Sequence, residues 1–509
     1  MARLEEIIDA NLKANPNDQC FWWENEWYTK TDFSRLVEDY EASLTASGFR
    51  RGQRLAVLTA NCPMILAISV AVWRLGGTIA PLNVKSGAIS LIGTLELIDS
   101  FAVVTSDAID DEAGELLREH GFPCVKCAPL GALPKIEGKI SSIETQDIAI
   151  IFATSGTTGL PKAVPLTHGN ILSNCMGVKD ALSLLDSSDV FLNALPNFHS
   201  FGYTINIALP LVINGKIAIV PSFLPPSQSI NAISSSGATV IFGVPAVFSF
   251  LLAAIERGSA PKSLFSKTKY LCSGGDKLND NLHDISLRLT GKDILEGYGL
   301  TETSPVITVD RGYATNRHGS VGPFIKDYKW QIRDEKGVNT SGDNPRTGEG
   351  VLWVKGSSVS PGYFRAPEIT AERFDGDWVN TGDYVRLEDG GDDGVFVRIL
   401  DRVTDIIIVG GFNVYPQEVE LILHSHPAVK TAIVVGMPHP VNGEVPKAFI
   451  MKNDGAEVTE LDIVRYCKER LAHFKAPRKV EFVGDFPLSS AGKILRRVLR
   501  EREREQVKK

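Results

Sequence analysis

The chain has 509 residues, more than one ordinary core holds, so two to four compact units are expected. Its 43% hydrophobic and 22% charged residues, with 45 glycines, exclude a disordered or fibrous chain. A formal net charge of −8 argues against general nucleic-acid affinity, which rests on neutralising phosphates with Lys and Arg.

In chain order, MARLEEIIDANLKAN at the N-terminus reads as an acidic amphipathic helix rather than a secretory leader. The most apolar segment, MILAISVAVWRLGG (Met64–Gly77), is broken by Arg74 after about ten residues, whereas a membrane span needs about twenty. A buried core helix, no transmembrane segment and a cytoplasmic location are expected. Cys124 and Cys127 form a C-x-x-C pair, but no second pair or His pair lies near them in sequence, so ordinary packing is favoured over zinc or redox chemistry. From about Leu55 to Val354 short Val/Ile-rich runs alternate with helical patterns, which predicts an α/β architecture with largely parallel sheets. Between Asp334 and Gly394 dense turn signals separate short strands, as in an antiparallel region. A new strand and helix pattern starts at Asp401. The expected division is a large N-terminal domain over 1–400, β-rich from about 330, and a small α+β domain over 401–509. Residues 401–509 hold 18 Lys and Arg against 15 Asp and Glu, and 465–509 hold 14 against 6, which suggests that the small domain meets phosphates or an acidic partner. The tail RRVLREREREQVKK beyond Leu499 reads as a solvated helix with i,i+4 charge pairs.

Five stretches carry chemistry. TSGTTGLPK (Thr154–Lys162) follows the strand-like DIAIIFA and offers hydroxyls, bare glycine backbone and a cation, a phosphate-binding set. It is not a Walker loop, because proline precedes Lys162 and alanine follows it. GYGLTETSP (Gly297–Pro305) reads as a strand ended by a Gly-Tyr-Gly turn, with Tyr298 offering a stacking face and Thr301 and Glu302 offering hard oxygens suited to Mg²⁺ on a polyphosphate. WVNTGDYV (Trp378–Val385) sets Asp383 on a turn, where a carboxylate can accept from two ribose hydroxyls. ILDRVTDIIIVGG places Arg402, a planar donor fork, at the domain boundary. PLSSAGKILRR carries Lys493 on a Ser/Gly-rich loop just before a helix.

Together and in this order, the five stretches resemble the adenylate-forming superfamily of acyl-CoA synthetases, firefly luciferases and non-ribosomal adenylation domains, over about residues 30–500. The resemblance implies that Thr154, Ser155, Gly156, Thr157, Thr158, Gly159 and Lys162 wrap the β- and γ-phosphates of ATP. It implies that Tyr298, with Gly299 beside it, stacks on adenine in a pocket lined by Gly275 and Asp276 of SGGDK. Thr301 and Glu302 would serve ATP and Mg²⁺, the ion also meeting Thr157, while Asp383 and Arg402 would hold the ribose. Lys493 would bridge the carboxylate and the α-phosphate during adenylation. In the second half-reaction the small domain rotates about a hinge at Thr404, where the family usually has Asp or Lys, and Gly410 and Gly411 line the pantetheine tunnel. The acceptor implied is CoA or the phosphopantetheine of an acyl carrier protein.

LPNFHSFGY (Leu195–Tyr203) resembles the family segment beside the acyl pocket, so His199 is expected as a wall or gate rather than a general base, with Phe201, Gly202, Val244 and Gly297 around it. These positions carry no charge to meet a substrate amine and suit an apolar tail, which points to a fatty acid and lipid metabolism. An aryl or other organic acid is the alternative. An amino-acid adenylating module fits less well because no charged residue at these positions meets the amine and GFNVYPQEVE resembles the CoA-ligase form. A non-catalytic nucleotide-binding regulator fits less well because Lys162, Glu302 and Lys493 are all present.

Overall fold

In a computed structural model, the strand and helix alternation of the first 330 residues builds two sheets. The structure describes all residues except 1, 85, 87, 107–110, 140, 145, 156–160, 335, 410–411, 440–441, 489–493 and 507–509, and leaves out the side chains of 88–89, 111–113, 154–155, 161, 280 and 413. One compact unit comprises 1–330, 354–380 and 389–397; the second comprises 331–353, 381–388 and 398–509. The family-like domains drawn from sequence follow chain order, whereas these units take segments from either side of residue 400.

In the first unit, a six-stranded sheet runs in the order Cys124–Lys126, Ala102–Thr105, Arg54–Leu58, Thr78–Leu82, Ile148–Ser155, Pro161–Thr167. It is parallel up to its last pair, which forms an antiparallel hairpin. The eight-stranded sheet likewise has a parallel centre and an antiparallel hairpin at its edge, formed by Leu295–Gly299 and Val306–Val309. Strands covered on both faces need continuous apolar runs, and Arg54–Leu58 and Thr78–Leu82 are buried throughout. The apolar helix Pro63–Arg74 is buried from Pro63 to Trp73, with Pro63 at its first turn, where a missing N–H costs nothing. No helix among the described residues is long and apolar enough to cross a membrane. The N-terminal amphipathic pattern becomes helix Leu4–Lys13, with Leu4, Ile8 and Leu12 buried.

The turn-dense region forms a further sheet in the order Lys329–Arg333, Gly348–Lys355, Trp378–Asp389, Phe374–Asp375, with Val395–Arg402 also paired to Trp378–Asp389. In the second unit, a sheet orders Phe412–Val414, Ile407–Val409, Gly443–Lys452 and Val429–His439, and Lys479–Phe482 adds in parallel to Gly443–Lys452. Successive side chains of a strand point to opposite faces. Ala432 and Val434 therefore pack with Val419, Leu423, Ile463 and Cys467, while Ile433 and Val435 pack with Phe449 and Leu499 on the other side.

That second face corrects the expectation for the tail. Helix Arg496–Gln506 keeps the anticipated Arg497–Glu501 pair at 3.5 Å, but it also buries Leu499 and Glu503. Glu503 meets the fully buried Lys447 at 2.7 Å. A string of alternating charges hides one apolar position, Leu499, and one paired position a turn later, Glu503, so its composition resembles a solvated helix although one face is covered.

Candidate active site

The phosphate-loop stretch is a hairpin. Thr154 lies opposite Lys162 and Ser155 opposite Pro161. Gly156, Thr157, Thr158 and Gly159 lie outside the described residues, as do the side chains of Thr154 and Ser155. At the loop end of the hairpin Lys162 Nζ stands 5.3 Å from the centre of the Tyr363 ring, a cation–π distance. The Tyr363 hydroxyl in turn donates to Glu302 Oε1 at 2.6 Å. Burial and the neighbouring Glu302 charge both hold that phenol's pKa well above its ordinary value. Backbone bonds fix the alignment: Ser360 N–H donates to the Glu302 carbonyl at 2.8 Å, and Phe364 N–H to the Ala163 carbonyl at 2.8 Å. Lys162 and Glu302 are thus joined through Tyr363, which sequence inspection missed. Its only signal is an aromatic residue in the turn-forming string SPGYF.

Gly297, Tyr298 and Gly299 do not form a turn. They lie within strand Leu295–Gly299, with Tyr298 opposite Thr308, and the reversal comes at 300–305. A Cβ on Gly299 would sit 1.7 Å from the Pro305 carbonyl oxygen, so glycine here permits a close backbone approach. The reversal carries a short 3₁₀ turn, Thr301–Thr303, in which Thr303 Oγ1 donates to the Pro305 carbonyl at 2.6 Å. The Thr301 and Ser200 hydroxyls are 3.2 Å apart.

Gly275, at φ +79°, leaves room beside Val244 and Phe201, whose atoms would lie 3.6 and 3.9 Å from an added Cβ. Asp276 is exposed and accepts from the Lys277 N–H at 2.9 Å. His199 Nδ1 accepts from the Phe201 N–H at 3.3 Å and so caps the short helix Ser200–Tyr203. A Cβ on Gly202 would meet the Pro196 carbonyl at 2.3 Å. The structure therefore brings Phe201, Val244 and Gly275 together, with His199 bonded into the backbone of the same segment.

In the second unit, Asp383 also departs from expectation. It lies in the long strand Trp378–Asp389 rather than on a turn. Alternation along that strand buries Val379, Thr381, Asp383 and Val385 in succession. Gly382, at φ +75°, is the irregularity that had suggested a turn. Arg402 Nε pairs with Asp383 Oδ1 at 3.3 Å, the arginine side chain 58% exposed and the aspartate 3%. This is one buried acceptor with an accessible donor fork, both chemically suited to hydroxyl recognition. Two residues on, the Thr404 carbonyl accepts from Arg500 of the terminal helix, and Arg500 also pairs with Asp405 at 3.2 Å. Gly410, Gly411 and Lys493 lie outside the described residues.

Comparison with known proteins identifies the family. The AMP-binding enzyme family model matches residues 8–364, and the AMP-binding enzyme C-terminal domain matches 418–493. The chain is 33% identical to the feruloyl-CoA synthase of an Amycolatopsis species over 93% of its length and 94% of the relative's. It is 33% identical to a 2-succinylbenzoate–CoA ligase of Bacillus thuringiensis over 98% and 99%. A Yersinia pestis long-chain-fatty-acid–CoA ligase is 35% identical over 70% of this chain and 62% of that one. Among solved structures, ATP-bound MatB from Rhodopseudomonas palustris superposes with a TM-score of 0.86 at 28% identity, covering 99% of this chain and 100% of that one. MenE from Bacillus subtilis with the acyl-adenylate OSB-AMP superposes with a TM-score of 0.82 at 26% identity, over 97% of each. With both family models matched in order along one chain, the protein belongs to the AMP-binding enzyme family.

Proposed function

We propose that the protein is an ATP-dependent ligase that joins an aryl or related organic acid to CoA through an acyl-adenylate. The observation that carries this is the pair of near-full-length relatives whose names specify feruloyl and succinylbenzoyl substrates. Packing is compatible with it: the flat Phe201 ring and Val244 flank Gly275, apolar surface of the kind that takes an aromatic ring. This moves the substrate away from the fatty acid first expected. The Yersinia relative keeps a fatty acid as the second reading, with a shorter match behind it.

The chemistry follows from the residues. A carboxylate is a poor acylating agent because oxide is a poor leaving group. Attack of its oxygen on the α-phosphorus breaks the bond to the bridging oxygen and expels pyrophosphate. A thiolate then attacks the acyl carbon and expels AMP. Charge collects on phosphoryl oxygens in the first step, so fixed donors and cations supply the main stabilisation. Lys162 and the loop hydroxyls would hold the polyphosphate, Tyr298 the adenine, and Asp383 with Arg402 the ribose hydroxyls. Lys493 would neutralise charge between the carboxylate and the α-phosphate. Glu302, the Thr301 hydroxyl and Thr157 are the hard-oxygen donors that Mg²⁺ prefers, and the ion would neutralise polyphosphate charge there. Tyr363 fixes the Glu302 carboxylate.

The test is one reaction mixture with ATP, Mg²⁺, CoA and a phosphopantetheinylated carrier protein. Hydroxycinnamates, benzoates, 2-succinylbenzoate and saturated fatty acids are offered together, and thioesters are read by mass spectrometry. Aryl-CoA as the main product is expected. Fatty acyl thioesters as the main product would replace the aryl assignment, and acyl-carrier products would replace CoA as acceptor.

A further inference from the structure

Three residues outside the nucleotide chemistry converge in the first unit. His283 lies on helix Asp280–Thr290, which follows the SGGDK segment. The helix ends at Gly291, φ +72°, and the turn that this left-handed residue permits leads into Asp293. Asp293 precedes strand Leu295–Gly299, and His318 lies in the segment after strand Val306–Val309. His283 Nδ1 is 2.7 Å from Asp293 Oδ1, and His318 Nε2 is 2.7 Å from Asp293 Oδ2. The two imidazoles stack with centroids 3.8 Å apart and planes 19° from parallel, so both direct a nitrogen to one carboxylate.

We propose that His283, Asp293 and His318 bind a divalent transition-metal ion of the zinc class. One ligand atom from each residue lies within 4.8 Å of the others. Zinc holds nitrogen and oxygen ligands at roughly 2.0–2.2 Å, so tetrahedral ligand atoms stand about 3.3 Å apart, and modest side-chain rotation closes the set. Two imidazoles and a carboxylate are borderline ligands that select zinc-class ions over Mg²⁺ or Ca²⁺.

A second feature independently has the form of a metal site. Metal-binding imidazoles generally turn their other nitrogen to a carboxylate, which fixes the ring and raises its basicity. The far nitrogen of His283, Nε2, faces Glu296 Oε1 at 3.5 Å. His283 is fully buried, and neither Nε2 nor Glu296 Oε1 makes an ordinary hydrogen bond among the described residues. Asn316 Nδ2 donates to Asp293 Oδ2 at 2.8 Å, which orients the central carboxylate. Asp293 and Glu296 together bring two negative charges to one buried ring, and a divalent ion balances both. His318, with its side chain 42% exposed, supplies a route in from solvent. The ion would fasten the helix that follows Gly275 and Asp276 to the strand that carries Tyr298.

The competing account is a proton-filled cluster in which imidazolium N–H groups simply donate to Asp293. Equilibrium dialysis of the chelator-treated full-length protein against Zn²⁺, without nucleotide, separates the two. Wild type is expected to retain one equivalent more than His318→Ala, a substitution at an exposed side chain whose fold is checked by circular dichroism. Glu296→Gln should weaken Zn²⁺ binding by about ten-fold, the lower range for an outer partner of a ligating histidine. Co²⁺ should give visible d–d bands in wild type that His318→Ala lacks. Equal zinc uptake by wild type and His318→Ala overturns the proposal and leaves the proton-filled cluster.

Discussion

Tyr363 stands between a cation and a carboxylate that the sequence places far apart, and its hydroxyl is the group that orients Glu302. A hydrogen bond to a charged partner contributes about 1.5–3 kcal/mol. Tyr363→Phe should therefore slow ATP–pyrophosphate exchange by at least about ten-fold while leaving circular dichroism unchanged; an unaltered rate would remove Tyr363 from the site. Lys493→Ala should cost at least about 100-fold in the same exchange assay, the size of one well-placed electrostatic contact in a transition state. Near-normal exchange would sink that role. Asp401 makes a pH prediction. Burial pushes its carboxyl up to about 7, although the Gln417 and Arg402 N–H groups donate to its oxygens at 3.0 and 2.8 Å. In the unfolded chain it titrates at roughly 3.9. Between these values the folded state binds more protons, so stability contributed at low pH is lost as pH rises from about 4 to about 7. Denaturant titrations across that window should show the decline in wild type and a flatter slope in Asp401→Asn.

At the scale of elements, both stretches of the first unit proposed to meet the nucleotide are hairpins at sheet edges. An edge hairpin can hold a loop over a ligand without breaking the parallel ladder behind it. The second hairpin depends on close approach at Gly299, where an added Cβ meets backbone that cannot swing aside. Gly299→Ala should cost about 3 kcal/mol, the upper range for overpacking, read as a lowered Tm. The terminal helix is likewise structural. Glu503→Ala leaves the buried Lys447 with Glu481 at 2.8 Å as its remaining acidic partner among the described residues. A loss of about 2 kcal/mol is expected, since a buried charge loses one of its hydrogen bonds.

For the whole molecule, each unit has its own apolar cluster. One is built around Phe248, Leu251 and Leu271, the other around Val419, Val434 and Ile463. Chains with separate cores can unfold in more than one cooperative step, and a single two-state fit then fails. Differential scanning calorimetry should resolve two transitions, with Glu503→Ala lowering only the one that belongs to the second unit. One transition with matching calorimetric and van't Hoff enthalpies would show that the units melt together.

Sequence alone determined the α/β class, the order of the elements and the core helix Pro63–Arg74, and it supplied the groups proposed to meet the nucleotide. These are legible because hydrophobic periodicity and side-chain chemistry are local properties. It misjudged Gly297–Gly299 and Asp383 as turns, because glycine marks a turn and a close-packed or irregular strand with the same letter. It also took the charged tail for a solvated helix. Tertiary structure alone decided that Tyr363 links Lys162 to Glu302, that Lys447 and Glu503 share a buried site, and that His283, Asp293 and His318 converge. Those meetings depend on which strands pair and which helix faces are covered. Both are set by burial summed over the whole chain, and no short window of sequence contains that sum.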